Sequence, residues 1–301
     1  MRQIKNILSF PLFIFGYFYF QLSKKYNENI YQSYVRIYCL TNGNISRLIS
    51  NIKSLFWTNK NTKVNGNYVN RIKEDGYVIL NNFLNEKEIK EFYLFSEQNK
   101  CSYKKNKNKE YVIYDKKKSL DPTYFYNKND ILKNNNILNI IRRIKELKIA
   151  ENYFMFKPYL VDVNMWWSSK SNFNDPKSAQ EFHFDLDSIK WLKFFIYLTD
   201  VDTNTGPHIY VKGTHKSKKK ELIKQGYVRI PEEQIKLNYE NQITTVCEKK
   251  GTLIIGDTSC FHKGARPEIS ERLIFECTFS NDLFGCKEIA NLNNYLNNEN
   301  I

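Results

Sequence analysis

The chain has little of several residue types that mark particular protein classes. Its six cysteines form no CxxC pair and no dense framework, which argues against a disulfide-stapled secreted module and favours a reducing, cytoplasmic compartment. Only nine of its 46 basic residues are Arg, so the net charge of +14 comes mainly from Lys. Lys and Asn are equally numerous at 37 each, which indicates a compositional bias. Because phosphate readers favour the planar Arg fork, nucleic-acid binding is disfavoured.

Residues 1–60 also lack a clear membrane-spanning run. The uncharged stretch 6–23 is dense in aromatics, but it contains Pro11, Gly16 and Gln21 and is marginal against the roughly 20 apolar residues that a span needs. No small-residue cleavage site follows, so a signal peptide fits poorly. Residues 1–60 contain eight Lys or Arg residues and a single acid, Glu28. This composition leaves three readings: a helix packed on the main domain, peripheral contact with an anionic membrane, or a true span.

Composition and periodicity divide the chain into four parts. These are a hydrophobic and basic extension (1–60), a polar linker (61–70), a globular domain (71–287) and a polar C-terminal tail (288–301). Within the domain, Asn85 followed by Glu88 predicts the start of a helix, and 137–149 predicts a second one. From about residue 153 onward, short apolar or alternating runs predict six or more strands. Helices followed by strands indicate an α+β fold with a β-sandwich or barrel core.

Histidine is scarce, and all four histidines lie in the strand-rich part: His183, His208, His215 and His262. In EFHFDLD (181–187), His183 and Asp185 alternate with apolar residues, so a strand would project both from one face. One imidazole and one carboxylate at this spacing supply two of the three ligands of a 2-His-1-carboxylate iron site. The alternative for so short a motif is an ion-paired edge strand.

A second stretch, GTLIIGDTSCFHKGARPEISERLIFECTFS (251–280), carries the remaining candidates. It predicts a buried strand, a turn with His262, a Gly/Pro loop and a strand that begins at Arg272. A hairpin of this form brings His262 and Arg272 together. A buried Arg needs an anionic partner, either a structural carboxylate such as Asp257 or Glu276, or the carboxylate of a ligand held by the bidentate fork.

In combination these motifs resemble the phytanoyl-CoA dioxygenase family of Fe(II)/2-oxoglutarate oxygenases. The HxD pair, the distant His and the Arg ten residues after it follow the order seen in that family. EDGYVILNNFL (74–84) resembles the family's opening strand and helix, and FFIYLTDVDTNTGPHIYVKGTHK (194–216) resembles its strand–turn–strand signature. The resemblance covers about 70–285 and leaves residues 1–60 unexplained.

The resemblance implies a double-stranded β-helix, the cupin-like jelly roll, flanked by helices and with iron at one mouth. By motif position, His183, Asp185 and His262 would ligate Fe(II), and Arg272 would hold the distal carboxylate of 2-oxoglutarate, with O2 as the other co-substrate. Three further residues are candidates for the co-substrate pocket: Met165, Lys193 and Tyr197. Lys193 and Tyr197 share a strand face that we expect to point into the barrel, with packing and charge at the barrel rim as the alternative. Asp187 is a competing carboxylate.

The implied activity is hydroxylation of an unactivated C–H bond in a small molecule. Asp185 stands where Gly or Ala would open a halide site, so hydroxylation is preferred over halogenation. The Lys-rich segments 100–118 and 216–224 permit an anionic or lipid-like substrate, with a solvated surface as the alternative. Neither the substrate nor the oligomeric state follows from the sequence. Two other classes stay open: a non-catalytic jelly-roll binding module, and a membrane-surface protein whose function resides in 1–60.

The remaining polar candidates receive structural interpretations. His208 follows Gly206-Pro207 at a strand start and His215 follows Gly213 at a strand end, where we expect both to bond local backbone and shape the turns. Cys260 lies two residues before His262, but the sequence offers no two further ligands at zinc spacing.

Overall fold

The computed structural model describes residues 2–58, 66–105, 108–118, 121–170, 181–224, 229–286 and 292–297. The helices run in this order: α1 (Arg2–Ser23), α2 (Glu28–Thr41), α3 (Asn44–Leu55), α4 (Gly66–Asp75), α5 (Glu86–Gln98), α6 (Lys128–Lys133), α7 (Asn135–Glu146), α8 (Ile149–Phe154), α9 (Lys220–Ile223), α10 (Glu232–Tyr239) and α11 (Leu292–Asn297). The strands are β1 (Tyr77–Leu80), β2 (Cys101–Lys105), β3 (Asn108–Val112), β4 (Thr123–Tyr126), β5 (Tyr159–Ser168), β6 (Trp191–Tyr197), β7 (His208–Val211), β8 (Ile243–Val246), β9 (Leu253–Gly256), β10 (His262–Gly264) and β11 (Arg272–Ser280).

Two antiparallel sheets form the core of the molecule. The large sheet has the order β1-β9-β6-β11-β5-β4-β2-β3, and the small sheet has the order β10-β7-β8. Alternation along β11 sends Leu273 and Phe275 to the helix-covered outer face, while Ile274 and Glu276 face inward. The α+β jelly roll with flanking helices that was predicted is confirmed, and its inner face is where polar side chains collect.

The predicted helix starts are partly confirmed. Asn85 and Glu88 form a capping box at the start of α5, each accepting a hydrogen bond from the other's backbone N–H. The second predicted helix, 137–149, is confirmed as α7 but ends earlier, at Glu146, because Lys148 adopts a left-handed conformation (φ 58°) that separates α7 from α8. The break lets α8 turn and bury Tyr153 and Phe154 in the core.

The N-terminal helices pack on the small sheet. Phe13 and Tyr34 belong to one buried cluster with Phe184, Phe261 and Phe284 of the domain. Gly16 gives α1 its close approach to α2, since an added Cβ would lie 2.5 Å from the Ile30 side chain. The extension therefore shares a core with the domain, as the first of the three sequence readings expected.

Two hydrogen bonds join α2 to the strand segment that carries His183 and Asp185. The Tyr31 hydroxyl donates to the Leu186 carbonyl at 2.7 Å, and the Tyr34 hydroxyl donates to the Ser188 carbonyl at 2.8 Å. Both bonds are at least partly buried, so each contributes on the order of 1 kcal/mol. The extension thereby braces the backbone that follows the metal-ligand candidates.

Among the described residues, none of the helices is both long enough and apolar enough to span a bilayer.

Two predicted boundaries need correction. The linker prediction of 61–70 is wrong for its second half, because Gly66–Asp75 is helical and buries Val69 and Ile72 against the domain core. Residues 61–65 lie outside the described residues. The polar tail prediction of 288–301 is wrong for Leu292–Asn297, which forms α11 and buries Leu292 and Leu296. In both segments two apolar residues spaced three or four apart suffice to dock one helical turn, although the surrounding composition is polar.

Candidate metal and co-substrate site

His183 and His262 come together as a backbone pair. Each donates its N–H to the other's carbonyl oxygen, at 3.0 Å and 2.8 Å, which is the hydrogen-bonded antiparallel arrangement. Paired residues in such a ladder project to the same face, and the two imidazole rings lie 4.3 Å apart between centroids. The alternation of His183 with Phe182 and Phe184, which pack outward under the N-terminal helices, explains why the ring points inward.

Asp185 completes the cluster from two residues further along the chain. Its backbone N–H donates to the Thr258 carbonyl at 2.8 Å, which keeps this segment aligned with the 257–262 turn. One carboxylate oxygen lies 3.7 Å from His183 Nε2, and the other lies 3.6 Å from His262 Nε2. The three ligand atoms lie within 4.8 Å of one another, close enough for one metal ion to reach all three.

The hydrogen bonds of the two imidazoles leave their Nε2 atoms free for a metal. His183 Nδ1 lies 2.9 Å from the Glu181 carbonyl, and His262 Nδ1 lies 3.0 Å from the Cys260 carbonyl. A carbonyl can only accept, so each Nδ1 carries the proton and each Nε2 lone pair faces Asp185. Burial, reinforced by the His262 charge, lowers the pKa of His183 to about 3, and burial also lowers the pKa of His262. Two neutral imidazoles and one carboxylate are the donor set of a 2-His-1-carboxylate iron centre.

Lys193 secures the carboxylate of this cluster. Its ammonium lies 2.9 Å from Asp185, 3.0 Å from Asp187 and 4.0 Å from Glu276. Burial alone would raise the pKa of Asp185, but the charge of Lys193 and the two imidazoles hold it below the usual range. Asp187, the competing carboxylate of the sequence analysis, points to Lys193 and stands outside the cluster. The interior position predicted for Lys193 is thus observed, while its contact with a co-substrate stays a prediction.

Arg272 lies on the inward face of β11 and is 3% exposed. Its Nη2 donates to Ser168 Oγ at 3.3 Å, and among the described residues its buried Nε and Nη1 have no hydrogen-bond partner. The two structural carboxylates considered from sequence are occupied elsewhere, Asp257 by the Tyr153 hydroxyl and Glu276 by Thr278. Burial lowers the pKa of Arg272 to about 10, so the guanidinium is charged at neutral pH. An unpaired buried cation of this kind fits the carboxylate of a ligand.

Tyr197 and His208 lie near Arg272 in the buried interior. Tyr197 Oη lies 3.2 Å from His208 Nδ1, and the two rings stack 5.7 Å apart. The expectation that His208 shapes a turn is wrong, because β7 directs its ring inward, where burial and the Arg272 charge lower its pKa well below the usual value. His208 lies two residues before Tyr210, so the two side chains share one face of β7, and Tyr210 pairs with His262. This spacing is the sequence signal that would have predicted the inward direction of the His208 ring. Tyr197 is buried in the interior as predicted, and its contact with a co-substrate stays a prediction.

The Met165 prediction is wrong. Met165 pairs with Phe275 across β5 and β11, and both side chains lie in the outer core with the helices. Residues at odd positions of this part of β5 face outward, whereas Asn164 and Trp166 pair with inward-facing Glu276 and Ile274. The number of residues between Met165 and His183 does not show which face of the sheet Met165 occupies. Only the strand register determines that face.

His215 also bonds outside its own turn. Its Nε2 lies 3.1 Å from the Lys73 carbonyl of α4, and its Nδ1 lies 3.3 Å from Cys260 Sγ. His215 and Cys260 therefore tie α4 to the turn before His262. Among the described residues no His, Cys or carboxylate cluster of metal-binding geometry includes Cys260.

Arg229 is a residue that the sequence analysis missed. The Ile230 N–H donates to the Phe182 carbonyl at 2.8 Å, and this antiparallel bridge sets Arg229 beside His183. Phe182 and Ile230 are buried in the outer cluster, so Arg229 shares the inward face with His183. Its Nη1 is buried and, within the described part of the chain, has no hydrogen-bond partner. The Arg229 charge helps lower the pKa of both His183 and His262, after burial as the main cause for each.

Comparison with solved structures agrees with this fold. The non-haem α-ketoglutarate-dependent epimerase SnoN from nogalamycin biosynthesis superposes with a TM-score of 0.52 at 15% identity, over 71% of this chain and 81% of its own. The carbocyclase SnoK from the same biosynthesis gives 0.51 at 14% identity, over 72% and 84%. HygX from Streptomyces hygroscopicus, with nickel and 2-oxoglutarate bound, gives 0.50 at 12% identity, over 71% and 86%. At these identities the likeness establishes the fold alone.

One protein-family model matches more than half of the chain. No curated protein sequence matches it. The family model for phytanoyl-CoA dioxygenase, PhyH, matches residues 72–271, which include His183, Asp185 and His262. The chain therefore belongs to the phytanoyl-CoA dioxygenase family, whose cofactor and co-substrate are Fe(II) and 2-oxoglutarate.

Proposed function

We propose that the protein is an Fe(II)- and 2-oxoglutarate-dependent oxygenase that hydroxylates an unactivated C–H bond of a small molecule. The observation that carries this proposal is the convergence of His183, Asp185 and His262 within 4.8 Å, on the same inner face as the unpaired guanidinium of Arg272. One cluster supplies the three ligands of an iron centre, and the other group supplies a counter-charge for a dicarboxylate. The family membership supports the same reaction class.

Fe(II) held by this triad supplies O2-dependent oxidation of a C–H bond, with 2-oxoglutarate as the accompanying reductant. The chain's own residues bind and orient. The Glu181 and Cys260 carbonyls fix the ring orientation of the two histidines, and Lys193 fixes the carboxylate of Asp185. Arg272 binds the far carboxylate of the co-substrate. The buried aromatic wall that includes Tyr197 keeps bulk water away from the centre.

Proteins of the same fold catalyse other reactions, and these reactions are the alternatives to hydroxylation. SnoN is an epimerase and SnoK a carbocyclase, so the scaffold alone does not select hydroxylation. Asp185 supports hydroxylation over halogenation, since a halide needs the position that this carboxylate takes. A non-catalytic binding module is disfavoured because all three ligand candidates and the unpaired Arg272 are present.

We expect the purified protein, titrated without O2 with Fe(II) and then with 2-oxoglutarate, to develop a weak visible charge-transfer band that EDTA abolishes. Admission of O2 should then release succinate, and a true substrate should gain one oxygen atom by mass spectrometry. A band with succinate release and a product of unchanged mass would replace hydroxylation by an epimerase-type outcome. Absence of both band and succinate would support the binding module instead.

We further propose that the substrate carries an anionic group, which Arg229 binds. Two inward guanidinium groups carry buried nitrogen atoms that have no hydrogen-bond partner in the described structure: Arg272, near Tyr197 and His208, and Arg229, beside His183. Both are costly to bury unpaired, so each favours an anion. If Arg272 binds the co-substrate, Arg229 is left for the substrate. This reading agrees with the anionic substrate that the Lys-rich segments permitted.

Arg229→Gln should lower kcat/KM for a carboxylate- or phosphate-bearing substrate by more than about tenfold, the loss expected for a charged hydrogen bond. The KM for 2-oxoglutarate and turnover of the neutral ester of the same substrate should stay unchanged. Succinate release across paired charged and neutral compounds measures this, with exposed Arg71→Gln of α4 as the matched control. Equal losses for the charged and neutral compounds would refute the assignment.

A further inference from the structure

The outward face of α1 carries large apolar side chains that nothing in the described structure covers. They recur three or four residues apart along one side of the helix, and Phe15 and Leu22 are 75% and 88% exposed. The opposite side of α1 is the packed one, with Phe13 and Phe20 in the core. The exposed members are Leu8, Leu12, Phe15, Phe18, Tyr19 and Leu22.

A second apolar stripe lies on α3. Leu48, Ile52 and Leu55 share one side of this helix, and Phe56 follows it; all four are about half exposed or more. The two helices meet at one buried carboxylate, Asp282, which accepts hydrogen bonds from Tyr17 of α1 and from Lys53 of α3. Both helices therefore contact one buried carboxylate, and their exposed apolar side chains together exceed the scattered apolar residues normal for a soluble surface.

The charges around these stripes are predominantly positive. Lys24 and Lys25 are exposed directly after Leu22, where α1 ends. Over 1–60 the chain has eight Lys or Arg residues and one acid, Glu28. Aromatic and aliphatic side chains on one helix face, bordered by lysines, match the interfacial region of an anionic bilayer. Two copies of this surface packed together would instead bring like charges into opposition.

We propose that α1 and α3 dock the protein on the surface of an anionic bilayer, with α1 lying in the interface and its outward face in contact with the acyl boundary. The bilayer is favoured over a second copy because it offers both an apolar layer and negative charge. The docking involves none of the residues of the iron site, so it stands independently of the enzymatic proposal.

Flotation of the full-length protein with vesicles tests this inference. We expect binding to phosphatidylcholine vesicles that contain phosphatidylserine, and weaker binding to phosphatidylcholine alone. Phe15→Ser with Leu22→Ser should lower the partition coefficient by more than about tenfold, since each removes a large exposed apolar group that the proposed docking would bury in the bilayer. Lys24→Gln with Lys25→Gln should remove much of the preference for the anionic vesicles, as should high salt.

Leu237→Ser is the matched control, because Leu237 is a 79% exposed leucine on α10, outside the two stripes. Circular dichroism and the thermal midpoint verify that every variant folds. Wild-type protein that floats with neither vesicle, or a Phe15 and Leu22 variant that partitions like the Leu237 variant, overturns the proposal. Light scattering that shows a dimer dissociated by the Phe15 and Leu22 changes, without vesicle binding, would assign the face to a second copy instead.

Discussion

Asp185→Asn is expected to lose more than about 100-fold in 2-oxoglutarate turnover and a similar factor in Fe(II) affinity. Outer-shell partners of a metal are worth about 10–100-fold, and a direct ligand should exceed that range. The amide keeps the shape of the side chain and removes the negative charge that two imidazoles and Lys193 surround. Succinate release and anaerobic Fe(II) titration measure the two losses.

The matched control is Asp187→Asn. Asp187 lies two residues further on and shares Lys193 as a partner at nearly the same distance, 3.0 Å against 2.9 Å for Asp185. It stands outside the three-residue cluster, so Fe(II) affinity should change little. If the two variants lose affinity equally, the carboxylate contributes general charge and not a metal bond. If only Asp187→Asn loses it, the competing carboxylate is the ligand and the assignment is wrong.

Arg272→Met is expected to raise the KM for 2-oxoglutarate about 30-fold or more, the effect of deleting one member of a buried charge pair. Its thermal midpoint without ligand should stay the same or rise. The reason is that the free protein buries this cation with two unpaired nitrogen atoms, and a methionine of similar length removes that penalty. A structural arginine would show the opposite combination, with the stability lost and the KM retained.

Arg272→Lys separates charge from shape at the same position. Lysine keeps the positive charge but loses the planar fork that holds a carboxylate through two hydrogen bonds. We therefore expect a KM between those of the wild type and Arg272→Met. Steady-state kinetics and calorimetric unfolding of the three proteins provide the comparison, and an unchanged KM in both variants would exclude Arg272 from the co-substrate site.

Much of the site could be predicted because strand alternation is a local property. His183 and Asp185 share a face since they are two residues apart. The hairpin predicted for 251–280 is wrong, because β10 with His262 pairs with β7 in the small sheet while β11 with Arg272 lies in the large sheet, and the two residues face the same interior from opposite sheets. Met165 failed because its face depends on which β5 residue meets Phe275, and that register is set by the partner strand. The position of Arg229 could not be predicted from the sequence for the same reason, since only the bridge between Phe182 and Ile230 brings Arg229 beside His183.

The extension shows a different limit of sequence reasoning. Its aromatic and basic composition was evident, yet composition alone could not say which aromatics pack and which stay exposed. Phe13 is buried and Phe15 exposed two positions away, because Phe13 faces the cluster that contains Phe284. The packed and the exposed aromatic side chains lie on opposite sides of the same helix, and composition alone does not distinguish these two sides.

The hydroxyls of Tyr31 and Tyr34 in α2 affect how a truncated form of the protein would behave. A truncated protein that starts near residue 66 would retain the whole family match, which begins at residue 72. It would nevertheless remove the donors to the Leu186 and Ser188 carbonyls and uncover Phe184 and Phe261 to solvent. Poor iron loading by such a fragment would then report a loosened scaffold, and should not be mistaken for the absence of a metal centre in the intact chain.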